Sequence, residues 1–173
     1  MFEKLKQRVF DYRFRHTEKH PAQWLEWNSI HNVLVLYESD YIERNTVIKV
    51  LRDNLLQEDK DVTLWGYTEK KEITSLILPQ SRILGMKDFN LLDAPKENVV
   101  IDLQKRMYDL VLDLTQHPCL PLRYLSLYAH AYMKVGMHLG DGIHDFMIEM
   151  PAEDTPEHLF NELKHFLSTI KQG

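Results

Sequence analysis

One stretch, residues 108–137, constrains the fold more than any other part of the chain. It opens with the apolar and β-branched run Asp109–Leu114, which predicts a strand buried on both faces. A polar loop follows, and Pro121–Tyr132 is then predicted to form a helix with proline in its first turn. Val135–His138 is a second strand. Strand, helix and strand in this order form the repeat unit of an α/β sheet.

A unit of the same kind precedes it. Ile30–Tyr37 contains an unbroken apolar run, which is typical of a strand covered by helices on both faces. Ser39 or Asp40 can cap a helix that continues to about Gln57. Asp61–Gly66 is a short second strand. A right-handed crossover of this length places the two strands side by side.

The remaining segments complete the sheet. Phe89–Leu92 is a candidate third strand, and Pro95 suits the first turn of a helix that runs to about Met107. The Asp-Gly pair at 141–142 is a strong hairpin signal, so His144–Met150 should return antiparallel to the preceding strand.

These elements predict a three-layer α/β sandwich. We expect a mainly parallel sheet of five or six strands, flavodoxin-like or Rossmann-like, with an antiparallel edge strand. A well-marked C-terminal helix closes the chain: Thr155 is its expected cap and Pro156 occupies its first turn. We assign residues 29–173 to this single α/β domain.

Residues 1–28 are predicted to form a basic helical arm. Residues 1–20 carry six basic and three acidic side chains, a net +3, which leaves −8 for the rest of a chain whose net charge is −5. Phe2, Leu5, Val9 and Tyr12 follow helical spacing. Such an arm can dock on a partner or contact a membrane surface as a peripheral helix. We favour the alternative that it packs back on the acidic body, because Asp11 and Glu18 dilute its basic face.

Composition excludes several classes of function. The hydrophobic share of 44% and the charged share of 27% are those of a globular protein, and a net charge of −5 argues against nucleic-acid binding. Cys119 is the single cysteine, which fits a reducing compartment. The charged N-terminus is unlike a signal peptide, and no apolar run reaches the ~20 residues of a transmembrane segment. We therefore expect a cytoplasmic protein.

Any ligand site should lie beyond the carboxyl ends of the parallel strands. The first of these loops contains Glu38 and Asp40 and no glycine. Dinucleotide and P-loop sites need glycine there, because only glycine lets the backbone approach a phosphate closely, and two acids would repel it. We expect neither kind of nucleotide site and assign no cofactor.

A second candidate loop contains His117 and Cys119. Cys119 precedes a helix N-terminus, where the pKa of a thiol falls; His117 could act as its base and Asp113 could orient the histidine. The alternative is that Cys119 is a small buried hydrophobe, and we favour it. The histidine pairs His16/His20 and His138/His144 lack the three or four converging ligands of a zinc site, so no metal is assigned.

The strand at 108–114, the proline-started helix and the Lys134-Val135-Gly136 step together resemble a family of short uncharacterised bacterial proteins, a domain-of-unknown-function family. That resemblance spans most of the chain after about Ile30 and implies an α/β sandwich in a bacterial cytosol, but it does not imply any particular activity. YDLVLDL, a helix and KVG are also similar to the N-terminal half of heptosyltransferase-type glycosyltransferases. Those enzymes bind the nucleotide-sugar with a second domain, which this chain is too short to hold.

Two functional hypotheses remain. The first is a non-enzymatic protein that acts through a protein partner or as a homo-oligomer. The second is a small enzyme or ligand-binding domain whose site is built from the strand-end residues Glu38, Asp40, Asp113, His117 and Cys119. A deep pocket at the strand ends with titratable groups inside it favours the second hypothesis, and an apolar surface elsewhere favours the first.

Overall fold

The computed structural model describes residues 1–19, 21–71, 78–137, 142–148 and 156–169. Its strands are β1 (Asn32–Glu38), β2 (Asp61–Tyr67), β3 (Ser81–Leu84), β4 (Tyr108–Asp113), β5 (Ala131–Met137) and β6 (Phe146–Ile148). Its helices are α1 (Phe2–His16), α2 (Ile42–Gln57), α3 (Glu97–Gln104), α4 (Leu120–Tyr128) and α5 (Pro156–Thr169). No helix in these ranges is long and apolar enough to cross a membrane.

The two apolar runs of the sequence form the centre of a parallel sheet. β1 pairs in parallel with β4, with Val33 opposite Leu110 and Val35 opposite Leu112. All four side chains are buried. The prediction of two buried parallel strands, made from their unbroken apolar character, is confirmed.

Helices cover both faces of this sheet. Leucines of α2 and α5 pack on one face, including Leu51 and Leu163, which are at most 1% exposed. Val99 and Leu103 of α3 and Leu122 and Leu125 of α4 cover the other face. The strand order is β3-β2-β1-β4-β5-β6, all in parallel, which is the order of a Rossmann-like fold.

The edge strand differs from its prediction. β6 runs parallel to β5, with Val135 opposite Phe146 and Met137 opposite Ile148. The expected antiparallel strand His144–Met150 is therefore wrong in direction. The connection between β5 and β6 spans only residues 138–145. Parallel strands usually need a connection of a dozen residues or more, so a short connection that contains Asp-Gly is more typical of a hairpin. Of the predicted turn Leu139-Gly140-Asp141-Gly142, the first three residues lie outside the described part of the chain.

Two smaller predictions are also wrong. The third strand is β3, not Phe89–Leu92; Phe89 makes an isolated bridge to Pro95 instead. Tyr41 occupies the N-cap of α2 and makes no side-chain cap, so neither Ser39 nor Asp40 caps this helix. The Ser39 hydroxyl donates to the Tyr67 carbonyl at 3.1 Å instead, and the Asp40 carboxylate accepts from the loop after β2.

The first helix packs on the outside of α4. Phe10 is 1% exposed and its ring meets the ring of Tyr124 edge-on at 4.8 Å. The Arg123 guanidinium lies 4.3 Å from the centre of the Phe10 ring, and Arg13 donates a 3.4 Å hydrogen bond to the Tyr128 hydroxyl. α1 therefore contacts the body, as favoured from the charge pattern; a domain boundary after residue 28 stays a prediction.

The face of α1 that makes this contact is not the expected one. Phe2, Leu5 and Tyr12 are 50%, 49% and 64% exposed, and Val9 is half-buried. These residues share one side of the helix, whereas Phe10 and Phe14 lie on another. The helix therefore has two apolar faces, one packed and one open to water. We call Phe2, Leu5, Val9 and Tyr12 the outer stripe.

Candidate functional site

The strand order reverses between β1 and β4, and at such a switch point the two following loops separate and leave a crevice. Glu38, the last residue of β1, lies in this crevice and is 8% exposed. Its carboxylate accepts a 3.1 Å hydrogen bond from the backbone N–H of Gln116 and lies 3.3 Å from Nδ1 of His117. The loop after β4 is thus tied to the end of β1 across the crevice.

His117 stands at the open side of this contact. Its side chain is 60% exposed, and its ring lies 5.4 Å from the ring of Tyr41, which precedes α2. A carboxylate on Nδ1 fixes the orientation of an imidazole ring. Arg44, in the first turn of α2, is 6% exposed; burial lowers its pKa, and the nearby Glu38 charge acts in the opposite direction. Glu38 therefore lies between a cation and an imidazole.

Asp40 has a separate partner set. It accepts hydrogen bonds from the Thr68 hydroxyl and, at 3.1 Å, from the backbone N–H of Glu69. The Lys70 ammonium donates to its backbone carbonyl at 3.3 Å. These contacts connect the loop after β1 to the loop after β2. The Asp40 carboxylate accordingly has a structural role between two loops, and its acceptors are largely used.

Asp113 ends β4 and is 1% exposed. One of its oxygens accepts from the backbone N–H of Thr115 at 3.0 Å, and the other lies 3.0 Å from Nε2 of His144. The hydroxyl of Ser126 lies 3.2 Å from the same nitrogen. Serine, histidine and aspartate are therefore in contact, but both partners share one ring nitrogen. A catalytic triad needs the serine and the acid on opposite nitrogens, so this buried cluster is structural.

Gly136 makes room for this histidine. A Cβ built on Gly136 would lie 2.4 Å from Nδ1 of His144, and 2.5 Å from two of its ring carbons. Gly136 is opposite Asp113 in the β4–β5 register, so the imidazole ring lies across both strands. The glycine of the Lys134-Val135-Gly136 step is required here because its missing side chain leaves space for the ring.

Cys119 lies at the N-cap of α4, as its position before that helix implied. Burial raises the pKa of its thiol to about 12, and the charges of Glu38 and Asp113 act in the same direction. These effects outweigh the backbone N–H of Leu122, which lowers the pKa. The nucleophile hypothesis depended on a lowered thiol pKa, and the surroundings of Cys119 have the opposite effect.

The structure thus brings together only one pair of the five proposed site residues. Glu38 meets His117, whereas Asp113 pairs with His144 and not with His117, and Asp40 turns to the neighbouring loop. Sequence patterns did not indicate that Asp113 would contact His144 and Ser126, since the three residues come from separate segments of the chain. Within the described ranges, no group of three or more histidine, cysteine, aspartate or glutamate side chains could hold a metal ion.

A cavity of about 280 Å³ lies away from this crevice. It is bordered by the end of α1, the last turn of α4, the first residues of β5 and the segment 142–145. Lys134 is in its wall. Sequence patterns did not indicate this cavity, because it is formed by the packing of α1 on α4.

Comparison with known proteins assigns the chain to a family. The sequence model of a family of unknown function (DUF6913) matches residues 3–170. The chain belongs to this family. The expected resemblance to proteins of unknown function is thereby confirmed. No curated protein matches this DUF6913 chain significantly.

Among solved structures, the heptosyltransferase WaaC of E. coli, determined with ADP, is similar to the chain. The TM-score is 0.50 and the sequence identity is 12%, over 78% of this chain and 46% of the enzyme. The chain therefore spans about half the length of that enzyme. The likeness supports the Rossmann-like fold and, at this identity, shows the fold alone.

The contact between Gly136 and His144 yields a stability prediction. Gly136→Ala should destabilise the fold by roughly 2 kcal/mol or more, because the ring is held by Asp113 and Ser126 and overpacking of this kind costs about 1–3 kcal/mol. Gly85→Ala is the matched control, since its Cβ meets nothing closer than Thr68 O at 3.9 Å. Urea unfolding of both variants measures the difference; equal midpoints would contradict the tight contact.

The raised pKa of Cys119 predicts that its thiol reacts slowly with alkylating reagents. In the folded chain Cys119 should react with iodoacetamide far more slowly at pH 7 than in urea, because a pKa of about 12 leaves the thiol protonated. The folded-state rate should rise only as the pH approaches that value, while the protein remains folded. Mass spectrometry of timed samples measures both rates. Rapid labelling of the folded protein at neutral pH would restore Cys119 as a candidate nucleophile.

Proposed function

We propose that this chain is a non-enzymatic protein that works through protein–protein contacts, and that the outer stripe of α1 makes contact with a second copy of the chain. The observation that carries the proposal is that Phe2, Leu5 and Tyr12 remain about half exposed or more on a helix that is already anchored through Phe10. An aromatic side chain carries about 150–250 Å² of surface, so Phe2 and Tyr12 each leave roughly 100 Å² open to water.

The size of the stripe indicates the strength of the contact. Together with Leu5 and the exposed Met1, it provides a few hundred Å², the usual size of the largest apolar patch on a monomer. A stable interface buries about 800 Å² on each partner. The stripe therefore suits the centre of a modest interface, with polar groups around it, and a dimer that exchanges with monomers.

Charge supports a second copy as the occupant. Lys4, Arg8 and Arg15 are exposed on α1 beside the stripe, while the chain after residue 20 carries a net −8. The body of another copy therefore offers the opposite charge to this basic helix. In a two-fold dimer each α1 would meet the acidic body of the other chain, so both contacts form at once.

The acidic side chains at the switch point already have hydrogen-bond partners, which favours this proposal over a catalytic role. Glu38 holds a loop N–H and an imidazole, Asp40 holds the neighbouring loop, and Asp113 holds a buried histidine. Each carboxylate already serves hydrogen bonds that close the strand-end loops. A general acid or base needs a lone pair or proton that is available to substrate.

We expect the double variant Leu5→Gln, Tyr12→Gln to dissociate the dimer and leave a folded monomer, because both side chains are exposed and glutamine sustains a helix. The control is Leu91→Gln, Ile101→Gln, which alters two apolar side chains elsewhere that are 84% and 52% exposed. Sedimentation velocity over a concentration series measures the association. Added salt should weaken it, since part of the contact is ionic.

Two results would overturn this proposal. The first is a wild-type chain that stays monomeric throughout the series, and the second is a dimer that persists in the stripe variant. Flotation with phosphatidylserine vesicles then tests the other role of a basic amphipathic helix. Vesicle binding that is lost in the stripe variant would assign α1 to a membrane surface in place of a second copy.

A second candidate function is small-ligand binding at the switch point. One observation favours it: Glu38 holds the exposed His117 beside Tyr41 at the position where Rossmann-like folds bind their ligands. A similar structure was determined with ADP, which makes this nucleotide the natural probe. The loop after β1 lacks glycine and presents two acids, both unfavourable to a diphosphate.

We therefore expect no heat of binding when ADP is titrated into the folded chain in a calorimeter, with or without Mg²⁺. His117→Ala provides the control for any signal at the crevice, because its side chain is 60% exposed and its removal should leave the fold intact. Saturable ADP binding that disappears in His117→Ala would overturn the non-enzymatic proposal in favour of the ligand-binding one.

A further inference from the structure

The cavity beside β5 holds a lysine in an unusual setting. Lys134 lies in its wall together with Phe14, Leu127, Tyr128, Ile143 and Asp145. At about 280 Å³ the cavity approaches the ~300 Å³ at which ligand pockets of proteins begin. Its lining is mixed: Phe14, Leu127 and Ile143 are apolar, and charged or polar side chains such as Glu18, Lys19 and His130 lie beside them.

Two backbone carbonyls hold the Lys134 amine. Its Nζ donates to the oxygens of Ser126 and Leu127, at 2.7 Å and 3.1 Å, near the end of α4. A neutral amine has two N–H groups and one lone pair, so these two acceptors satisfy all the donors of the neutral form. An ammonium group has a third proton that needs a further acceptor. The carbonyls at the helix C-terminus also stabilise an ammonium group, so burial decides between the two forms.

Desolvation favours the neutral, nucleophilic form of the Lys134 amine. Burial lowers the pKa of Lys134 to about 8, against the opposing effect of Asp145. About a tenth of the amine is then unprotonated at pH 7, compared with well under a hundredth for an ordinary lysine. Asp145 is fixed nearby, because its carboxylate accepts from the Lys134 backbone N–H and its own N–H donates to the Lys134 carbonyl, both at 2.8 Å.

A second lysine, Lys60, provides a comparison, because it is also buried and hydrogen-bonded to two carbonyls but does not line the cavity. Lys60 also donates to two carbonyls, those of Trp27 and Ile30, at 2.9 Å and 2.8 Å. Burial lowers its pKa as well. However, Lys60 is only 5% exposed and is not among the residues that line the cavity. The two lysines share hydrogen bonding and desolvation and differ in access to the cavity.

We propose that this cavity binds a small carbonyl compound, an aldehyde or ketone with an apolar substituent, and that Lys134 forms an imine with it. The amine lone pair attacks the carbonyl carbon, the C=O π electrons move to oxygen, and a proton passes from nitrogen to oxygen to give a carbinolamine. The carbinolamine hydroxyl then takes up a proton and leaves as water as the C–O bond breaks, the nitrogen lone pair forms C=N, and the remaining N–H proton is released to solvent. The step consumes no oxidant or reductant, and its products are the imine and one water.

The apolar part of the compound has a defined place. Phe14, Leu127 and Ile143 supply an apolar wall against which this substituent can pack. Phe14 belongs to α1, so this helix forms part of the site. The inference does not depend on self-association, because the inner side of α1, and not the outer stripe, faces the cavity residues of α4.

Trapping with benzaldehyde and sodium cyanoborohydride at pH 7 tests the proposal on the full-length chain. Benzaldehyde is the apolar carbonyl probe, and the reductant converts each imine into a stable benzylamine that peptide mass spectrometry can locate. We expect Lys134 to be labelled on the order of ten-fold faster than the exposed Lys49, because more of its amine is unprotonated. Lys60 should stay unlabelled because it lacks access.

The concentration dependence provides a second readout. The rate at Lys134 should saturate with benzaldehyde if the cavity binds it, while the rate at Lys49 should rise linearly. Lys134→Arg keeps donors for the two carbonyls and should abolish the fast, saturable labelling. The wild-type peptide rates decide the question even if this variant fails to fold. Labelling of Lys134 no faster than Lys49, or without saturation, would overturn the proposal and leave Lys134 as a cap of α4.

Discussion

The parallel pairing of β1 with β4 is the constraint on which the rest of the molecule depends. Because both strands are buried on both faces, helices must cover them on either side, and the chain must cross over between neighbouring strands. The crossovers diverge at this pair, so the loops after β1 and β4 form the crevice. The contacts of Glu38 then close part of that crevice from within.

The same constraint explains why the fold could be predicted from the sequence. The apolar runs that form β1 and β4 are long, contain β-branched residues and are followed by recognisable helices, so strand type and direction followed directly. The short segments were harder. β3 and β6 have only four and three residues, too few for a periodic signal, and the direction of β6 depends on the register of distant residues.

The side-chain contacts of the candidate sites were harder to predict from the sequence than the fold. The pairing of Glu38 with His117 joins two loops that were already expected at one edge of the sheet, so their proximity was foreseeable. The contacts of Asp113 with His144 and of Lys134 with α4 are set by tertiary packing alone. For α1, helical spacing identified an apolar face correctly, but spacing cannot say whether such a face meets the protein or the solvent.

The histidine that lies over Gly136 links the edge of the sheet to its interior. His144 comes from the short connection that leads into β6, yet its ring is the partner of a carboxylate on the central strand β4. If the edge were to fray, the buried Asp113 side chain would lose its imidazole partner, and a buried polar group without a partner is costly. Edge strands are usually the first part of a sheet to open. Here local opening of β6 would break a buried contact with β4, which costs free energy. We therefore expect β6 to unfold together with the rest of the sheet.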